Sequence, residues 1–209
     1  MKIVVFGASG RTGELVVEKA LEEDYEVVAF VRDREKLDHT VDGVTIVEGD
    51  ALNYEDVKRA TCKGDSAVST IGHAKGSPKY VQTESIKNII TAMNDCDVKR
   101  LISMTGAGVR APEDNPGFVD RLFSLALNLT NKAVAEGAKR HARLIKESKL
   151  DWTIVRALRL TDDPQGNYNI SYVGKDTRTK TRRSDVAEFI VQELEKEDYL
   201  HQTPVVSSH

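Results

Sequence analysis

At 209 residues, with 40% hydrophobic and 30% charged side chains, the chain has the makeup of an ordinary water-soluble globular protein, and its length suits one domain spanning 1–209. The net charge of −3 excludes a general affinity for nucleic acid or for anionic membranes. Charged residues break every apolar run within a few positions, which argues against a membrane span and against a secretory leader.

The first predicted element is the apolar run "KIVVF" at 2–6, read as a strand buried on both faces. It breaks into "GASGRTG", where Gly7, Gly10 and Gly13 recur every third residue, and then into "GELVVEKALEED". There Leu15, Val16 and Ala20 share one face of a helix. A glycine turn between a buried strand and a helix lets the backbone approach a pyrophosphate, with the helix N-terminal N–H groups aimed at it. Ser9, Arg11 and Thr12 add side-chain donors to that turn.

The second strand, "EVVAFV" at 26–31, runs into "RDREKL". An NAD site wants a carboxylate here for the ribose, whereas this chain places Arg32 at the strand end and Lys36 four residues on. Two cations at that point suit the 2′-phosphate of NADP. The competing reading is a solvated charged turn.

After "VTIVEG" at 44–49 comes "DALN", where Asp50 and the Ala51 backbone can meet an adenine; Asp50 or Asn53 can equally cap the helix expected at 53–61. The fourth strand, "SAVST" at 66–70, leads to Ile71, Gly72 and His73, the next wall of the crevice. His73 reads either as a donor to phosphate or a proton shuttle, or as a surface histidine. Cys62 and Cys96 show neither C-x-x-C spacing nor a histidine pair, so two reduced thiols in a cytoplasmic protein are expected, with no metal site.

A helix at 79–94 precedes the strand "RLISM" at 100–104, whose end supplies Ser103 and Thr105. These hydroxyls are the candidates for the reacting end of a dinucleotide; alternatively they close the strand by bonding the next turn. The Gly/Pro-rich "GAGVRAPEDNPG" at 106–117 is a candidate wall or lid. A long helix at 118–148 carries Lys132, Lys139 and His141, read as surface groups rather than catalytic ones, and leads to the strand "WTIVR" at 152–156. The basic run Lys175, Arg178, Lys180, Arg182 and Arg183 reads as a solvated loop before a helix at 185–196 capped by Ser184; the alternative is a role with an anionic substrate. Alternating strands and helices imply an α/β Rossmann fold. Its sheet is doubly wound and mainly parallel, with helices on both faces and a small C-terminal substrate-side region.

Together, "GASGRTG", "VRDREKL", "EGDALN", "ISMTGAG" and "SKLDWTIVRALRLTDDP" resemble the atypical NAD(P)-binding branch of the short-chain dehydrogenase/reductase superfamily. That branch includes NmrA-like proteins and the flavin reductase/biliverdin-IXβ reductase group. The resemblance implies NADP held by the glycine loop, Arg32, Lys36, Asp50, Ala51 and the backbone at 71–73. Mainstream members also carry Y-x-x-x-K after the fifth strand, yet no tyrosine occurs from Gly106 to Leu150. The match "YEDVK", Tyr54 to Lys58, lies between the third and fourth strands and so in the wrong place. Ala157 also stands where the family commonly has a proline.

Loss of the dyad points toward hydride transfer to a small planar acceptor that needs little proton assistance, such as a flavin or quinone. The chain is then expected as a monomer or homodimer. A sensor that binds the dinucleotide without turnover is the alternative. A sugar-nucleotide epimerase fits less well, because it too relies on the tyrosine.

Overall fold

A computed structural model describes residues 1–37, 43–73, 76–106, 108–117 and 132–209. The chain alternates through β1 (Lys2–Phe6), α1 (Arg11–Glu22), β2 (Glu26–Val31), β3 (Val44–Glu48), α2 (Tyr54–Thr61), β4 (Ser66–Ser69), α3 (Val81–Asp95), β5 (Arg100–Gly106), α4 (Lys132–Lys146) and β6 (Asp151–Ala157). Beyond β6 follow β7 (Arg159–Thr161), β8 (Tyr168–Ser171), β9 (Lys180–Arg182), α5 (Arg183–Lys196) and β10 (Val205–Ser208).

Eight strands form one sheet in the order β3-β2-β1-β4-β5-β6-β10-β8, parallel throughout except for the edge pair β10 and β8. Successive strand residues face opposite sides. Val5, Ile102 and Val155 therefore join the core shared with α1 and α5, and Val4, Leu101 and Ile154 join the core shared with α2, α3 and α4. Each such side chain contributes roughly 1.5–3 kcal/mol of burial, which explains why these strands read as continuous apolar runs rather than alternating ones. Strand order reverses beside β1, between its neighbours β2 and β4, and the glycine turn sits at that switch point.

Three expectations need correcting. The C-terminal "VVSS", for which no element was expected, forms β10, a full member of the sheet between β6 and β8, although its small residues give little pattern on their own. The basic stretch is not wholly a solvated loop: β9 pairs with β7, Thr181 is fully buried and Arg183 is only 7% exposed. Ser184 is not the cap of α5, which starts one residue earlier with Arg182 in the capping position and no side-chain bond to the helix. There β9 runs straight into α5, and the Asp185 carboxylate takes Arg182 Nε at 2.8 Å while the Ser208 hydroxyl donates to it at 2.5 Å. Of the helix expected at 118–148, α4 covers Lys132–Lys146, while 118–131 lies outside the described residues.

The cysteines are the third correction. Cys62 and Cys96 are joined in a disulfide with their Cα atoms 5.1 Å apart. They occupy the C-terminal caps of α2 and α3, two helices that cross the same sheet face in the same direction, so their ends meet despite a separation of 34 residues. The reduced-thiol argument for a cytoplasmic setting falls with them. Among the described residues, no helix is long and apolar enough to cross a membrane and no His, Cys, Asp or Glu cluster is placed to hold a metal.

Candidate functional site

A crevice of about 710 Å³ opens along the C-terminal edge of the sheet. Its walls include all thirteen residues expected to face a dinucleotide: Gly7, Ser9, Gly10, Arg11, Thr12 and Gly13 from the first turn, Arg32 and Lys36 after β2, Asp50 and Ala51 after β3, and Ile71, Gly72 and His73 after β4. Two of the glycines are fixed by geometry. Gly7 has a φ of +84°, and a Cβ at Gly13 would fall 2.0 Å from the Gly7 carbonyl oxygen, so α1 seats directly on the turn. Gly10 caps α1 without a side-chain bond, which leaves the first-turn N–H groups without intrahelical partners beside the crevice. The Thr70 hydroxyl donates to the carbonyls of Phe6 and Gly7 at 3.1 and 3.2 Å and ties the end of β4 to the loop.

At the β2 end, Arg32 is exposed and makes no hydrogen bond or ion pair among the described residues. Lys36 pairs with Asp33 at 3.3 Å, and Asp33 caps the turn Arg34–Lys36 by accepting from the Glu35 N–H. In the next loop the cap of α2 is Asn53, which accepts from Glu55 N–H at 3.0 Å. Asp50 instead shapes the turn, taking Leu52 N–H at 2.9 Å and donating its own N–H to Asp56 at 3.1 Å. The Asn88 side chain holds the Ala51 carbonyl at 3.0 Å.

Ser103 and Thr105 lie elsewhere. Both are buried, at 0% and 3% exposure, and neither lines the crevice. Ser103 Oγ is 2.9 Å from Nε2 of His141, whose Nδ1 is 3.2 Å from the Gln82 carbonyl. His141, expected at the surface, is 1% exposed, and burial lowers its pKa from 6.5 to about 4. A signal for this was present: Ala138, His141, Ala142 and Ile145 form an inward stripe at helical spacing. Thr105 Oγ1 has no hydrogen-bond partner among the described residues. The misplaced tyrosine–lysine pair is occupied too, since Tyr54 and Lys58 both bond Asp95 across α2 and α3.

The far end of the crevice was not legible in the sequence. Leu160 and Arg183 line it, and Arg183 and Arg11 both bind the carboxylate of Asp162, at 2.5 and 3.1 Å. Above β5 and β6, the described part of the 106–117 loop, expected as a wall or lid, is tied down by Asp114 and contributes no residue to the crevice lining. Asp114 receives both terminal nitrogens of Arg156 at 2.8 Å, together with the backbone N–H groups of Ala111 and Val173.

A parallel sheet that reverses its strand order beside a glycine turn, with cations at the end of the second strand, defines a Rossmann protein built around a dinucleotide crevice. The chain belongs to the NAD(P)H-binding family, whose model matches residues 7–197. YwnB of Bacillus subtilis is 33% identical over 110 residues, which cover 52% of this chain and about half, 48%, of that protein. A short-chain dehydrogenase/reductase from Veillonella parvula, solved in complex with NADP, superposes with a TM-score of 0.79 at 19% identity, covering 99% of this chain and 94% of that one. ChuY, an anaerobillin reductase from Escherichia coli O157:H7, gives a TM-score of 0.76 at 23% identity, covering 99% and 97%. The short-chain dehydrogenase/reductase resemblance therefore holds at the level of the fold.

Proposed function

We propose that the chain is an NADPH-dependent oxidoreductase that passes hydride to a flavin, quinone or similar conjugated acceptor. The observation that carries this reading is the Arg32 guanidinium, which has no hydrogen-bond or ion-pair partner among the described residues and lies one strand away from the glycine turn, on the same crevice wall as Lys36. The residues fit the cofactor: no side chain can occupy the space at Gly13, and the first turn of α1 offers N–H groups that have no intrahelical partner and no side-chain cap. Bound NADPH supplies the hydride. Gly7, Gly10, Gly13, Ser9, Arg11 and Thr12 hold the pyrophosphate, Arg32 and Lys36 select the 2′-phosphate, and Asp50 and Ala51 flank the adenine.

The wall at Ile71, Gly72 and His73 directs the dinucleotide toward β5. Ser103 and Thr105, both buried and outside the crevice lining, act there as supports of the end of β5, Ser103 through its bond to His141. With no tyrosine in the stretch that carries the dyad elsewhere, an acceptor that collects its proton from water is favoured over a simple carbonyl. ChuY, of the same fold, is an anaerobillin reductase, which supports a reductase reading.

The test mixes the protein with NADPH and a panel of flavins and quinones and follows loss of the reduced-nicotinamide absorbance. Tight NADPH binding with no turnover of any acceptor would make the chain a sensor and overturn the enzymatic reading. For the cofactor, Arg32→Ala with Lys36→Ala is expected to weaken NADPH binding by roughly ten- to a hundredfold, the range for losing charge-assisted bonds, and to leave NADH nearly unchanged. Equal weakening of both, measured by calorimetric titration, would refute the phosphate assignment.

A further inference from the structure

The loop on the adenine side of the crevice is gripped by two helices at once. From α2, the Asp56 carboxylate accepts the Asp50 N–H at 3.1 Å, and the helix sits so close that a Cβ at Gly49 would fall 2.7 Å from the Cβ of Asp56. From α3, the Asn88 side chain donates to the Ala51 carbonyl at 3.0 Å. Asp50 and Ala51 are neighbours in the chain, so the shape of this wall depends on how α2 lies against α3.

The other ends of the same two helices are joined by the Cys62–Cys96 disulfide. Cys62 stands six residues beyond Asp56 and Cys96 eight beyond Asn88, about 9 and 12 Å along the helix axes. Beside the disulfide, the side-chain tie between the helices is the Asp95 carboxylate, which accepts from Tyr54 and Lys58. Lys58 and Asp95 are 40% and 45% exposed, and an ion pair so open to water contributes little. With only eight residues, α2 is too short to hold its place by its own hydrogen bonds. The disulfide is therefore the strong clasp at this end, and it is within reach of solvent: Cys62 is exposed and Cys96 half-buried.

We infer that the Cys62–Cys96 pair is a redox switch on cofactor affinity, opened by a dithiol reductant and tight for the dinucleotide when closed. The inference rests on the reading that Asp50 and Ala51 flank the adenine. A thiolate of the reductant attacks Cys62 Sγ, the S–S bond breaks, and Cys96 leaves as a thiolate that takes a proton. The second thiol of the reductant then displaces Cys62, so two electrons and two protons pass to the protein and the reductant becomes a disulfide. The Lys58 carbonyl, 3.9 Å from Cys96 Sγ, is placed to accept the new S–H. Val57, Ala60, Ile89 and Ala92 stay buried in the shared core and keep the fold together. What opening releases is the fixed offset of α2 against α3, and with it the joint grip on Asp50 and Ala51.

The experiment titrates the oxidised protein and the dithiothreitol-reduced protein with 2′,5′-ADP, the adenosine half of NADP, by calorimetry. Reduction is expected to weaken binding roughly fivefold, the low end for coupling between two sites. Coupling is reciprocal, so saturating 2′,5′-ADP is expected to shift the native protein toward the disulfide by the same factor, read by counting thiols in a buffer of oxidised and reduced dithiothreitol. Cys62→Ser with Cys96→Ser is expected to bind as the reduced protein does and to ignore dithiothreitol; the thiol count stands if that variant misfolds. Asn88→Ala, which removes the grip of α3, is expected to shrink the difference between the two redox states.

Equal affinities of the oxidised and reduced protein overturn the proposal alone, as does a response to dithiothreitol that survives in the double serine variant. A disulfide that resists dithiothreitol until the chain is unfolded also overturns it. Failure of 2′,5′-ADP to bind either form rejects the cofactor reading and this proposal with it.

Discussion

Replacing Asp114 by alanine is expected to destabilise the fold by about 3–5 kcal/mol, because it leaves the Arg156 guanidinium buried with no counter-charge. Arg156 is 0% exposed and sits on β6, where it also donates Nε to the Thr203 carbonyl at 2.7 Å and Nη1 to the Val109 carbonyl at 2.9 Å. Burial by itself pushes the Asp114 carboxyl up, but the bonds from Arg156 and from the Ala111 and Val173 N–H groups outweigh it and hold the pKa below the usual carboxylate value. One carboxylate thus joins the 108–117 segment, β6 and the Val173 turn. That turn is also fixed by Gly174, at a φ of +81°, where any Cβ would lie 1.9 Å from the Asn115 carbonyl oxygen.

Denaturant titration checks the magnitude. Arg156→Met combined with Asp114→Ala is expected to recover much of the loss, since removing both charges costs less than orphaning one. A single-variant loss under about 1 kcal/mol would show that the pair contributes no more than a surface bridge.

The crevice was legible in the sequence because its parts are local. Each of Gly7, Arg32, Asp50 and Ile71 stands one or two residues past the end of a strand, and in a parallel sheet every such position falls on the same edge. What could not be read were partners brought together over long separations. A charged residue closing "WTIVR" announces that Arg156 needs a counter-ion, but nothing nearby names Asp114, 42 residues earlier. The disulfide is similar: Cys62 and Cys96 hold equivalent places at the ends of successive helices, a relation visible only once both helices cross the same face. Arg183 was hidden for another reason. Amid Arg178, Lys180 and Arg182 it looks like one more solvated cation, and only the pairing of β9 with β7 turns it into the crevice wall.

His141 carries the second large effect, as a dependence of stability on pH. The Gln82 carbonyl can only accept, so Nδ1 bears the proton and bare Nε2 accepts from the Ser103 hydroxyl; the geometry selects the neutral ring. Burial is the main cause of its lowered pKa of about 4, against 6.5 for a free imidazole, and the bond to Gln82 offsets part of it. Because the folded value lies below the unfolded one, the unfolded chain binds the extra proton between pH 6.5 and about 4. Stability from this group is therefore complete above pH 6.5 and declines as the pH falls, by about 1.4 kcal/mol per unit and about 3 kcal/mol in all.

Asp56, Asp95, Asp97 and Asp114 have lowered values, so their contributions are lost only below the ordinary 3.8, which separates the two windows. Unfolding free energies of the parent and of His141→Gln, measured from pH 7 down to pH 4.5, check this directly. The variant starts less stable, because Ser103 loses a matched acceptor, but its curve is expected to be flatter, so the gap between the two proteins narrows with acid. Parallel curves would mean that the imidazole charges without penalty, and that Ser103 and His141 do not form a closed, neutral pair beneath the end of β5.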